Sequence, residues 1–240
     1  MASSRPSSKT PAAKTRTRRA AAGPDIAATL AKLDSTYPDA RCSLDYANPL
    51  QLLVATILSA QCTDKRVNMV TPALFTKYPA APQLAAAPLD QLEHDIQSTG
   101  FFRNKAKNLR AMAAALVQRH GNNVPNTMDD LVNLPGVGRK TANVVLGNAF
   151  DINVGVVVDT HVARLCQRLG LTQHTDPVKI EQDLMRLIPA DRWCRFSHQL
   201  IAHGRSVCMA RNPDCAHCPL LSHCPDGKSR MGQKAAGKRG

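Results

Sequence analysis

No apolar run in this chain approaches the roughly 20 residues that a membrane-spanning helix needs. The longest, such as Leu52–Leu58, fall far short of it. No apolar signal core follows the start, which argues against secretion, and no internal repeat recurs at a fixed period. Aromatic residues make up only 4% of the chain, with a single Trp. Acidic residues are missing altogether from positions 1–23, where Arg5, Lys9, Lys14, Arg16, Arg18 and Arg19 stand.

What is present is a chain of 240 residues, 43% hydrophobic, enough for one large domain or two small ones and too apolar for wholesale disorder. Its 31 basic and 18 acidic residues give a net charge of +13, which favours a polyanionic partner. Much of that charge lies at the ends. Residues 1–23 and the tail 225–240, with Lys228, Arg230, Lys234, Lys238 and Arg239 against Asp226, read as solvated, disordered arms. They suit plain solubilising tails, a nonspecific nucleic-acid arm or an address signal. Residues 24–224 are only mildly basic.

Helical period or helical punctuation marks nearly every segment between 24 and 206, which makes the expected fold class all-α. Leu50, Leu53, Val54, Ile57 and Leu58 share one helical face, opened by Asn48 as N-cap and Pro49 as the first helical residue. Pro88 opens a further helix that Gly100 stops. Residues 103–120 close on Gly121, Thr160–Leu169 ends at Gly170, and Asp176-Pro177 starts the next helix. Only Val154–Val158 looks strand-like, and one short run cannot make a sheet.

Between a short helix capped by Thr127 and a second that begins near Arg139 lies Leu134-Pro-Gly-Val-Gly-Arg-Lys140. Gly136 and Gly138 allow positive φ and close backbone approach, while Val137 anchors the turn in the core. The second helix then presents unpaired N–H groups, a site for one phosphate oxygen. This helix-hairpin-helix pattern reads the sugar–phosphate chain and no base sequence. The plainer alternative is a tight turn between packed helices.

Lys140 falls in the first turn of that second helix, at the positive end of its dipole. With Arg139 alongside and partial burial, its amine is expected to lose its proton more readily than an ordinary lysine and so to serve as a nucleophile able to form a Schiff base. Nineteen residues on, Asp159 brings a carboxylate to the start of the following helix. Either residue alone has an ordinary explanation, a phosphate contact for Lys140 and an N-cap for Asp159; the pair points to chemistry.

Four of the eight cysteines cluster as Cys208-x6-Cys215-x2-Cys218-x5-Cys224, while Cys42, Cys62, Cys166 and Cys194 are isolated. A disulfide framework suits small exported domains, so the cluster reads as metal ligands in a reducing compartment. Four thiolates in one short loop suit a cubane [4Fe–4S] cluster. Structural zinc is the alternative, although only one Cys-x2-Cys knuckle is present; His217 and His223 could substitute as ligands. Four protein ligands leave no open position for substrate, so either metal would be structural. Between the first two cysteines, Arg211 could reach a phosphate.

Together, Leu134-Pro-Gly-Val-Gly-Arg-Lys-Thr-Ala142, Val158-Asp-Thr-His161, Leu58-Ser-Ala-Gln-Cys-Thr-Asp64 and the cysteine loop resemble the endonuclease III family of base-excision DNA glycosylases, over residues 26–224. The resemblance implies a bilobal helix-hairpin-helix glycosylase fold. Its six-helix barrel lobe would span 44–153, with the hairpin at 127–149. A [4Fe–4S] lobe would be built from both chain ends, 24–43 and 154–224, with Cys208, Cys215, Cys218 and Cys224 as ligands. It also implies a bifunctional DNA glycosylase/AP lyase that binds double-stranded DNA at damaged or abasic sites, flips out oxidised pyrimidines, and acts as a monomer in the bacterial cytoplasm. An organellar presequence is the other reading of the N-terminal arm.

In this reading Lys140 attacks C1′, and Asp159 accepts a proton and stabilises positive charge on the sugar. Gln61 fills the gap left by the flipped base and Phe101 aligns with an apolar wedge, unless it is a core residue. Gly136, Val137, Gly138, Arg139, Thr160, His161 and Arg211 join them on DNA. Two departures from the family pattern stand out: the Lys140–Asp159 interval is one residue longer, within Asp151–Gly155, and Phe101-Phe102-Arg103 is bulkier than the usual wedge. The rival readings are an adenine-removing relative of the same superfamily, and a DNA-binding or redox-sensing module without chemistry. Lys140 and the short stretch after Cys224 argue against the first, and the Lys140–Asp159 pair against the second.

Overall fold

The structure, a computed structural model, describes residues 25–237, with side chains through 233. The arm at 1–23 lies outside the described residues. All regular structure among those described is helical: α1 (Ile26–Thr36), α2 (Pro49–Leu58), α3 (Asp64–Lys77), α4 (Ala81–Ala85), α5 (Leu89–Asp95), α6 (Phe102–Arg119), α7 (Met128–Val132), α8 (Arg139–Ala149), α9 (Thr160–Arg168), α10 (Pro177–Leu187), α11 (Trp193–Ser206) and α12 (Pro225–Gly237). No helix among them is long and apolar enough to cross a membrane.

The helices gather around two apolar cores. The first is formed by α2 through α8, with α2 at its centre. The sequence gives α2 one apolar face, yet every residue from Leu52 to Leu58 is buried. A helix wrapped on all sides by others has no solvent face to keep polar. Asn48 caps it, its side chain accepting from the Gln51 amide, and Pro49 occupies the first turn, where no amide partner is lost.

The second core joins α1 to α9, α10, α11 and the cysteine loop, with Phe196, Leu33 and Leu200 fully buried. The crossing between cores is the extended segment 154–158. It pairs with no strand among the described residues, yet keeps a two-residue alternation: Val156 and Val158 enter the second core while Val157 faces a cleft between the two.

The C-terminal tail differs from expectation. Residues 225–237 form α12 rather than a solvated arm. Composition suggested disorder because the segment is basic and poor in apolar residues. Its first turn is instead tied down: the Gly227 amide donates to Cys224 Sγ at 3.2 Å, and Asp226 pairs with Arg230 at 2.6 Å.

A buried carboxylate makes one of the joints between the lobes. Glu181 on α10 accepts from Arg139 Nε at 2.8 Å, Arg139 Nη2 at 3.1 Å and Asn143 Nδ2 at 2.9 Å, both partners lying on α8. Gly155 packs against this carboxylate so closely that a Cβ would stand 2.0 Å from Glu181 Oε1. Gly155→Ala is therefore expected to destabilise the protein by about 3 kcal/mol, through overpacking against a buried carboxylate. A urea midpoint unchanged from wild type would refute the joint.

Candidate active site and cysteine loop

Lys140 and Asp159 line the same cavity between the lobes, of about 160 Å³. Lys140 arrives from the first turn of α8. That helix starts at Gly138, which has no side chain to cap it, so its leading amides stay open. Gly136 holds φ +77° in the preceding turn, and a Cβ there would lie 2.8 Å from Asn108 Cβ, so only glycine lets the hairpin sit against α6. Val137 is buried beneath the turn. Lys140 itself is exposed rather than partly buried, because the first turn of α8 opens onto the cleft.

Asp159 arrives at the end of the extended crossing and is the N-cap of α9. Its Oδ1 accepts the amides of His161 and Val162, each at 2.8 Å, and its Oδ2 lies 3.1 Å from His161 Nδ1. The cap and the chemical candidate are one residue, whose helix-capping bonds aim the carboxylate into the cavity that Lys140 shares.

Sequence reasoning did not single out several other residues that line this cavity. Asp64, at the start of α3, binds Arg205 of α11 at 2.7 Å and Ser43 at 2.5 Å, closing one side of the cleft across the lobes. It lies in the quoted Leu58–Asp64 segment, but its partner stands 141 positions away and carries no local signal. His198 is also on the wall. The Asn148 amide nitrogen donates to Val144 O, so Asn148 Oδ1 must accept, and His198 Nε2 donates to it at 2.8 Å. Burial lowers the His198 pKa and the charge of Asp159 raises it by less, leaving a neutral ring.

The remaining candidate contacts are spread over several turns. Gln61 and Phe101 are both exposed, and both are non-glycine residues in the left-handed region, at φ 53° and 48°. Phe101 is 66% exposed, which settles it as a surface residue rather than core. Thr160 is exposed at the start of α9, His161 is half-buried, and Arg211 is exposed beside Asn212, which takes φ 52°. Arg139 is the exception among them, since Glu181 holds its guanidinium bidentately. In the longer interval before Asp159, Asp151 takes φ 56° to turn the chain off α8.

Cys208, Cys215, Cys218 and Cys224 line a single cavity in the second lobe. Arg168 Nη1 stands 3.1 Å from Cys208 Sγ, the Gly227 amide points at Cys224 Sγ, and His203 sets Nε2 3.6 Å from Cys218 Sγ while its Nδ1 meets the Tyr37 hydroxyl at 2.7 Å. Among the described residues, no three His, Cys, Asp or Glu side chains converge where one ion could sit.

A family model for HhH-GPD superfamily base excision DNA repair proteins matches residues 54–190, from α2 into the turn after α10. Fold and cleft thus define a helix-hairpin-helix base excision repair protein. Endonuclease III of Synechocystis is 58% identical over 197 residues, covering 82% of this chain and 90% of its own. Endonuclease III of Bacillus subtilis is 47% identical over 202 residues, covering 84% and 92%. A trapped covalent endonuclease III–DNA intermediate superposes with a TM-score of 0.82 at 45% identity, over 86% of this chain and 97% of that one. The chain belongs to the endonuclease III family.

Burial raises the Asp64 carboxyl pKa, but the hydrogen bonds from Ser43 and Arg205, with the charges of Arg205 and Lys140, outweigh it and leave the value below ordinary. A depressed folded-state pKa stabilises the fold above the unfolded value near 4 and ceases to as pH falls through the folded one. Replacing Asp64 by Asn should therefore cost up to about 1 kcal/mol at pH 7, the Arg205 end being half in water. That difference should shrink toward zero in acid, as read by denaturant titration of both proteins from pH 7 down to pH ~2.5.

Proposed function

We propose that this chain is a bifunctional DNA glycosylase/AP lyase of base excision repair that removes oxidised pyrimidines from duplex DNA. The observation that carries the reading is the single interlobe cavity into which Lys140 and Asp159 both project. The uncapped first turn of α8 offers its amides to a phosphate beside that cavity, so a bound backbone would bring the extruded nucleoside to Lys140. Gln61 and Phe101 enter the duplex from the opposite side, Gln61 filling the vacated position and Phe101 wedging the partner strand. Thr160, His161 and Arg211 add contacts along the backbone.

Lys140 attacks through the lone pair of its amine, forming an N–C1′ bond as the glycosidic bond breaks and the base leaves with the bonding electrons. Asp159 takes the ammonium proton and balances the positive charge that develops on the sugar. Opening of the C1′–O4′ bond gives the Schiff base. Loss of a C2′ proton and breakage of the 3′ C–O bond then complete β-elimination and nick the strand. The bacterial relatives accord with action in a bacterial cytoplasm.

Cys208, Cys215, Cys218 and Cys224 would hold a [4Fe–4S] cluster. They line one cavity, and four thiolates in one short loop with a single Cys-x2-Cys knuckle suit a cubane cluster better than structural zinc. Arg168 and the Gly227 amide supply donors to sulfur, as thiolate ligands require. When bound, the cluster supplies a rigid cross-link to the loop that carries Arg211.

Borohydride added with abasic-site DNA is expected to trap a covalent complex with the wild type and none with Lys140→Gln; no adduct with the wild type would remove the lyase assignment. Because an amide oxygen can still cap α9, Asp159→Asn should keep the fold and DNA affinity while slowing turnover by about 10²–10⁴. An equal loss of affinity would reduce Asp159 to a cap. Purified protein should be yellow-brown and contain iron and sulfide, with colour lost in Cys224→Ser; a colourless protein with stoichiometric zinc would overturn the cluster.

A further inference from the structure

Lys105, on the first turns of α6, is only 5% exposed. Its ammonium donates to two backbone carbonyls from different parts of the chain: Leu58 O at 2.8 Å and Thr99 O at 2.9 Å. Leu58 is the last residue of α2, three positions before Gln61. Thr99 closes the 3-10 turn at 97–99, two positions before Phe101. The Lys105 amide also donates to Phe101 O at 3.2 Å. One side chain therefore ties together the roots of the two turns that hold Gln61 and Phe101.

Both turns need such support. Gln61 and Phe101 sit in the left-handed region, and Gly100 beside Phe101 takes φ +71°. Left-handed non-glycine residues persist only where their surroundings over-determine them. The carbonyl at a helix C-terminus is the negative end of the dipole, which suits a cation at Leu58 O. Among the described residues no carboxylate pairs with Lys105, and burial lowers its pKa. A charge held out of water by carbonyls alone is costly to keep for packing, since an apolar chain of the same length would fill the space.

We propose that Lys105 is a positioning residue that locks the Gln61 and Phe101 turns to each other, so that the two side chains enter the duplex as a pair at a fixed separation. This rests on the reading of those two residues as duplex probes. Lys105 itself touches neither Lys140 nor Asp159, so the amine chemistry should not depend on it.

The test uses the full-length protein and Lys105→Met. Hydrogen–deuterium exchange without DNA is expected to quicken in both turns, at 59–62 and 99–102; loosening of one turn only, or of neither, overturns the proposal. Borohydride trapping on a single-stranded abasic oligonucleotide should stay near wild type, while trapping on the duplex falls on the order of 10- to 100-fold, the scale of a misplacement by an ångström or so. A 2-aminopurine placed opposite the abasic site should lose its fluorescence rise in parallel. An equal fall on both substrates would make Lys105 a general stability residue and overturn the proposal.

A Gln61→Ala/Phe101→Ala double variant separates the two inferences. If it leaves the duplex-to-single-strand ratio unchanged, the probe reading fails. If it lowers the ratio while Lys105→Met loosens both turns without lowering it, the Lys105 proposal fails. Should Lys105→Met not fold, Lys105→Gln, whose shorter side chain can reach at most one carbonyl, gives the same readings at smaller amplitude.

Discussion

The Glu181 carboxylate is almost wholly out of water, its side chain 7% exposed, and the two chain segments that carry Lys140 and Asp159 both pack on it. It accepts three hydrogen bonds from α8, a helix of the other lobe. Removing Arg139 would leave the Glu181 charge buried with one partner, Asn143, although the exposure of the arginine end softens the cost. Arg139, which makes two of the bonds, is the residue before Lys140. Gly155, which packs on the carboxylate, is four residues before Asp159. This ionic contact thus bears on both chain segments that carry the candidate chemical groups. The pair is better understood as a specifier of lobe orientation than as a source of stability.

The second constraint is that the polar groups at the cleft each serve the fold as well. Asp159 spends one carboxylate oxygen on two α9 amides and leaves the other beside His161. Asp64 joins α3 to α11 through Arg205 and faces Lys140 across the same cavity. Side chains fixed by such bonds lose little freedom when a substrate arrives, which is the structural content of preorganisation. Lys140 is different: it is exposed at the open start of α8, where the charge of Asp64 faces it across the cavity.

The division between what the sequence discloses and what it hides follows range. Helix boundaries were legible because their signals are local: Asn48-Pro49, Thr127, Gly138 and Asp176-Pro177 each stand at the helix start they mark. Lys140 and Asp159 were legible because each lies inside a short dense motif. The Asp64–Arg205 contact, the Glu181–Arg139 clamp and the Leu58 carbonyl on Lys105 were not, since the partners are 141, 42 and 47 positions apart. Val154–Val158 looked like a strand because it does alternate; it meets no partner strand because the two layers it alternates between are the second core and the cleft. The α12 tail was misread for a related reason, its order coming from Cys224 Sγ and Asp226 rather than from an apolar stripe.

Buried charge and backbone strain both lie outside the two aliphatic cores, and this separates what keeps the protein folded from what shapes its site. The two cores are aliphatic and conventional, with Leu52, Leu58, Leu109 and Leu116 in one and Leu33, Phe196 and Leu200 in the other. Volume-conserving changes there should be tolerated, as in other aliphatic cores. Glu181 and Lys105 lie instead at the joints, one between lobes and one between surface turns, where no apolar side chain could both reach its partners and fix their direction. The strained residues Gln61, Phe101, Asn122, Asp151 and Asn212 lie on turns outside the helices. A left-handed residue costs of order 1–3 kcal/mol, which two cores of this size can absorb. The energetic surplus of the interior is what allows the turns around the cleft to be held where relaxed backbone would not place them.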